Sequence, residues 1–121
     1  MYSQQAKNII YEAITKNGIL ASSEKVDNYN RVWSRDSMMT GILGLLIQDE
    51  KIITAHLHSI LTLANYQAET GALPSNVSIF EGVGKASYGT LVGRVDATTW
   101  WIIGTCKYLE YSKNENLKIE S

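Results

Sequence analysis

Arg35 and Asp36 stand side by side in the stretch 28–46, NYNRVWSRDSMMTGILGLL, ahead of an apolar run with no helix breaker except two glycines. The spacing reads as a loop entering a buried helix. Ser34 or Asp36 can cap that helix, because a short side-chain oxygen accepts from the orphan N–H groups of the first turn. An unpaired charge costs several kcal/mol to bury. A charged pair gathered at the N-terminal mouth of such a helix therefore points either to a polar ligand or to a cap combined with a structural ion pair. Both readings stay open at this level. The same chemistry returns at Arg94-Val95-Asp96, which opens another apolar run, ATTWWIIGTCKYLEYSK.

The remaining reactive side chains are less suggestive. His56 and His58 lie two residues apart, so on a helix they face different directions and do not form a metal pair. Cys106, the single cysteine, sits in an apolar helix and is expected to be an inert buried thiol. It excludes an internal disulfide and, with no second cysteine, any cysteine pair at metal-ligand spacing. No metal and no cofactor is expected. Trp100 and Trp101 are adjacent, about 100° apart on a helix, so at least one belongs to the core.

Four helices must position these groups. Over 3–17, Ala6, Ile9, Ile10, Ala13 and Ile14 recur at steps of three and four, one face of an amphipathic helix stopped by Asn17-Gly18. A second helix, 36–48, and a fourth, 96–112, are apolar nearly all round and are expected to be buried on most sides. A third, 51–69, is amphipathic. Gly41, Gly44 and Gly104 are small enough to allow close helix contact. Residues 71–93, GALPSNVSIFEGVGKASYGTLVG, contain the only proline and read as a long functional loop, and 114–121 as a frayed polar tail. Superposing the second and fourth helices on Asp36 and Asp96 matches Ile42 with Ile102, Leu43 with Ile103 and Gly44 with Gly104. The resulting order, outer, inner, outer, inner, fits a solenoid or toroid of helical hairpins, and predicts that the two aspartates open neighbouring, roughly parallel helices.

Composition narrows the function. The 121 residues suffice for one domain, and 45% of them are apolar. Eleven basic and 12 acidic residues give a net charge of −1 without a basic cluster, which argues against nucleic acid and anionic membrane as partners. No apolar segment reaches the roughly 18 residues that span a bilayer, and MYSQQAKN is not a signal sequence. A cytoplasmic protein is expected.

The runs WSRDS (33–37), GALPSNV (71–77) and SYGTLVGRVDATTWW (87–101) resemble the N-terminal part of the six-hairpin glycosidases. The resemblance is closest to bacterial glycogen-debranching or amylo-α-1,6-glucosidase-like proteins, with glucoamylases and neutral invertases more distant. It implies an all-α fold of helical hairpins forming part of an (α/α)6 toroid, with residues 1–121 as an N-terminal fragment of one such domain. It also implies a carbohydrate substrate, an α-glucan or related glucoside, held by Arg35 and Asp36. A carboxylate and a guanidinium together offer acceptors and forked donors to vicinal hydroxyls. Arg94 and Asp96 match a second pocket-lining segment, and Trp33, with Trp100 as a second candidate, offers an apolar face to the ring.

Four helices fall short of the twelve in the toroid. The general acid and base of such enzymes lie on later segments, so no catalytic residue is assigned here, and Glu69 and Glu81 are weak substitutes. Helices with too few partners should expose apolar surface and favour self-association. The competing reading is a non-enzymatic helical-repeat module that binds a protein or peptide at the same helix mouths.

Overall fold

In the computed structural model of the protein, residues 4–22, 30–88 and 96–120 are described, with side chains to residue 116 in the last segment. Helix α1, Gln4–Glu12, is shorter than the 3–17 expected. Asn17-Gly18 is a hairpin signal as well as a helix stop, and here Lys16 and Asn17 form the turn between two short antiparallel strands, β1 (Ile14–Thr15) and β2 (Gly18–Ile19). Gly18 has φ +132, and a β-carbon there would lie 2.4 Å from Ser59 Oγ. The close approach lets the Ile19 N–H donate to Ser59 Oγ at 2.8 Å. Ile19, 2% exposed, packs into a small core with Ile52 and Ala55.

Strand β3, Val32–Trp33, leads directly into helix α2, Ser34–Ile47. The N-cap is Trp33, in extended conformation and without a side-chain cap bond, so neither Ser34 nor Asp36 caps the helix as expected. Strand pairing fixes the entry instead: the Ser34 N–H donates to Ser75 O at 2.9 Å. Gln48, at φ 56, closes α2 in the left-handed conformation with its N–H on Gly44 O.

Asp49 then caps helix α3, Glu50–Asn65, which ends four residues before the predicted Glu69. Its Oδ1 accepts from the Ile52 N–H at 3.1 Å, and its Oδ2 takes the Tyr11 hydroxyl and faces Lys7 Nζ at 3.8 Å. Burial pulls the Asp49 carboxyl up. The Tyr11 hydroxyl, the Ile52 N–H and the Lys7 charge outweigh it and leave the group below its ordinary 3.8. Its contribution is therefore present above pH 3.8 and lost as the pH falls through the lowered value. Asp49→Ala should cost about 1–2 kcal/mol as a lost cap, seen as a lower urea midpoint; an unchanged midpoint would show that α1 and α3 hold without it.

The expected long loop is largely sheet. Strands β4 (Asn76–Phe80) and β5 (Val83–Ser87) form an antiparallel hairpin, and β4 also pairs with β3 in the order β3-β4-β5. Glu81 and Gly82 both have positive φ, 51 and 80, the two-residue turn whose twist suits a hairpin. The chain is thus mostly helical but not all-α. Helix α4, Asp96–Glu120, continues through the stretch expected to fray.

Helices α2 and α3 form an antiparallel hairpin, and α4 packs against both. The three glycines make the contacts possible. A β-carbon would stand 1.9 Å from His56 Nδ1 at Gly41, 2.3 Å from Ile52 Cγ2 at Gly44 and 2.4 Å from Met38 Sδ at Gly104. The main core joins Val32, Met38, Ile60, Leu63, Leu73 and Val77, flanked by Trp100, Trp101 and Tyr108.

Burial on most sides, expected for α2 and α4, is not found. Met39 (50% exposed), Leu46 (76%), Ile102 (50%) and Leu109 (60%) face outward, and among the described residues nothing covers them. Cys106 is likewise exposed rather than buried. Among the described residues, no helix is long and apolar enough to cross a membrane.

Candidate functional site

Helices α2 and α4 start next to each other and run in the same direction. At their N-terminal ends the Ser34 hydroxyl, fully buried, donates to Ala97 O at 2.6 Å. Towards their C-terminal ends Ile42, Leu45 and Leu46 share one groove with Lys107, Glu110 and Tyr111. Asp36 and Asp96 thereby both fall in the first turn of neighbouring helices, where the helix dipole favours a carboxylate.

Arg35 lies between them. Its Nε stands 3.4 Å from Asp36 Oδ1 and its Nη1 3.7 Å from Asp96 Oδ2. All three side chains are about half exposed, at 52%, 43% and 47%. Exposed ion pairs of this length stabilise by no more than about 1 kcal/mol. The pair's role as a fold element is accordingly small, whereas two acceptors and a forked donor remain open to solvent and to a ligand.

The positions of these groups are set by polar contacts that the sequence reading passed over. Leu73 N–H donates to Thr98 Oγ1 at 3.1 Å, and Ser75 binds Ser87 O through both its N–H, at 2.7 Å, and its hydroxyl, at 2.8 Å. Arg31 Nη1 donates to Asn76 Oδ1 at 3.1 Å. The segment 73–76 is therefore the strap that ties β3, α2 and α4 together. The sequence reading took this segment as part of the long loop 71–93, and the strand that follows it, Asn76–Phe80, was not recognised.

Trp33, Ser34, Arg35, Ser75, Asp96 and Ala97 line one hollow of about 10 Å3. That is room for about one water, far below the roughly 300–1,000 Å3 of ligand pockets. The described residues thus supply a wall rather than an enclosed pocket. Of the expected site residues, Trp33, Arg35, Asp36 and Asp96 come together, and Arg94 lies outside the described residues. Trp100 and Trp101 belong to the core, with Trp101 Nε1 donating to Ile60 O at 3.0 Å. Glu81 sits at the exposed tip of the β4–β5 hairpin, five residues from Asn76 and hence roughly 17 Å along the strand.

No curated protein and no solved structure matches the chain. One family model does, that of the alkaline and neutral invertases, over residues 2–121. The glycoside hydrolase relationship follows from that match. Because the match spans all but the first residue of the sequence, the chain belongs to the alkaline and neutral invertase family.

Proposed function

We propose that the chain is the N-terminal part of an (α/α)6 toroidal glycoside hydrolase of the cytoplasm, and that it forms one wall of the subsite for a terminal glucosyl unit. The observation that carries this reading is Arg35 held between Asp36 and Asp96 at the mouths of two parallel helices. Trp33 beside them supplies an apolar face, and the three charged groups supply acceptors and forked donors for vicinal hydroxyls. Arg94, two residues before Asp96, is proposed to add a further donor.

Hydrolysis of a glycosidic bond requires two carboxyl groups, about 6.5 to 9.5 Å apart when the configuration inverts. Neither Asp36 nor Asp96 is assigned to that pair, since Arg35 engages both; the acid and base are assigned to segments outside these residues. The outward-facing Leu46, Ile102 and Leu109 are the surface against which further hairpins of the toroid would pack, and in the isolated chain they favour self-association. An invertase cleaves sucrose, so the family makes sucrose the first glucoside to test, ahead of the α-glucans suggested by the debranching resemblance.

The test is a hydrolysis panel of sucrose, maltose and isomaltose with the full-length parent protein. Release of glucose from sucrose alone supports the invertase reading, and release from maltose or isomaltose supports the glucan reading. Hydrolysis of none of them would leave the helical-repeat binding module as the better account.

A further inference from the structure

His56 is fully buried where α2, α3 and α4 meet, and the proposed sugar wall makes no use of it. From α3 it reaches Gly104 O in α4, with Nε2 at 3.0 Å. A carbonyl only accepts, so Nε2 carries the proton and Nδ1 presents a lone pair. Among the described residues Nδ1 has no hydrogen-bond partner, and it lies where Gly41 of α2 comes closest. The Tyr108 ring of α4 meets the imidazole edge-on at 6.2 Å, and Met38 of α2 fills the Gly104 notch beside it. Of the groups these contacts bring to the ring, Tyr108 is the one ionisable side chain, and none is a carboxylate that could balance an imidazolium.

We propose that His56 is an acid-release pin. Neutral, it clamps α2 and α4 together through α3; protonated, it forces the junction open and disperses the Arg35, Asp36 and Asp96 cluster at its end. A second proton would place a charge and a donor with no acceptor among the described residues in a site walled by two glycines. Consistent with this, burial holds the imidazole below its ordinary 6.5, and the weaker opposing effect of the Gly104 carbonyl does not restore it. The inference concerns the helix junction and stands whichever glucoside the site takes.

The sign follows from linkage. Above pH 6.5 the imidazole is neutral in both states and the contribution is fully present. As the pH falls below that value the unfolded chain takes up the proton first, and stability is lost until the lowered folded value is passed, at most about tenfold in the folding constant per pH unit. The contribution of Asp49 changes only below 3.8, outside the range of the melts described next.

The experiment is thermal melting of the whole chain, followed by circular dichroism between about pH 8 and 5, for the wild type, His56→Gln and His58→Gln. Glutamine keeps a donor for Gly104 O but cannot titrate. The wild type and His58→Gln should lose up to tenfold in folding constant per pH unit below 6.5, and His56→Gln should be flat there. An acid loss in His56→Gln equal to the wild type overturns the proposal. Should that variant not fold, the wild type decides by imidazole NMR and tryptophan emission. Protonation of His56 below 6.5 in the same step as a red shift, as Trp101 leaves Ile60 O, is the expected result. Protonation at or above 6.5 with unchanged emission refutes it.

Discussion

Gly41→Ala should lower the stability of the chain by about 2 kcal/mol or more, although alanine is the better helix former. On propensity alone the change favours α2 by about 1 kcal/mol. The added β-carbon, however, would lie 1.9 Å from His56 Nδ1, 2.3 Å from Cγ and 2.7 Å from Cε1. The ring cannot retreat cheaply, because it is fully buried and its Nε2 is tied to Gly104 O. Either α2 moves off α3 or His56 gives up α4, and overpacking of this kind costs roughly 1–3 kcal/mol and sometimes more. Urea denaturation followed by circular dichroism measures it. Gly82→Ala is the control: a β-carbon there meets nothing within 4 Å, and the penalty comes only from φ +80, about 1 kcal/mol. A Gly41→Ala protein as stable as the wild type would mean that the α2–α3 contact is looser than described.

The other large effect concerns the proposed sugar wall. In the full-length parent, Asp36→Asn should leave the fold intact, since Asp36 is 43% exposed and is not the N-cap of α2. It replaces an ionised acceptor by a neutral amide and weakens the hold on Arg35. A hydrogen bond to a charged group contributes about 1.5–3 kcal/mol, so kcat/KM on the cleaved glucoside should fall roughly ten- to a hundred-fold. Arg35→Lys should also lower it, because one ammonium cannot reach Asp36, Asp96 and a hydroxyl with the planar fork's geometry. Steady-state kinetics with unchanged melting temperature is the expected pattern. If kcat/KM stays within twofold for Asp36→Asn on every glucoside the parent cleaves, the cluster is only a surface ion pair.

The elements most legible in the sequence were those with a strong helical period. The α3 stretch from Glu50 and the start of α4 at Asp96 fall within one residue of expectation, because apolar periodicity and first-turn acids both mark them. The glycines were legible as well: Gly41, Gly44 and Gly104 sit where helices touch. The β4–β5 hairpin was missed because its turn is Glu81-Gly82 rather than Asn-Gly, and its strands are only five residues each. The β1–β2 hairpin was missed for the opposite reason. Asn17-Gly18 was read as a helix stop, and only the packing of Ile19 under α3 distinguishes the two uses.

By itself the sequence singled out the candidate side chains, an Arg-Asp pair and a second Asp about 60 residues later, each at the head of an apolar helix. Local propensity and side-chain type are properties of short segments, so they survive without a structure. The tertiary structure decided what those groups are to one another. Whether Asp36 caps its own helix or shares Arg35 with Asp96 depends on β3 pairing with β4, on the Ser34 hydroxyl reaching Ala97 O, and on α4 lying parallel to α2. Which faces of α2 and α4 are covered was likewise undecidable from hydrophobicity, since an apolar side chain is buried only where a partner exists to bury it.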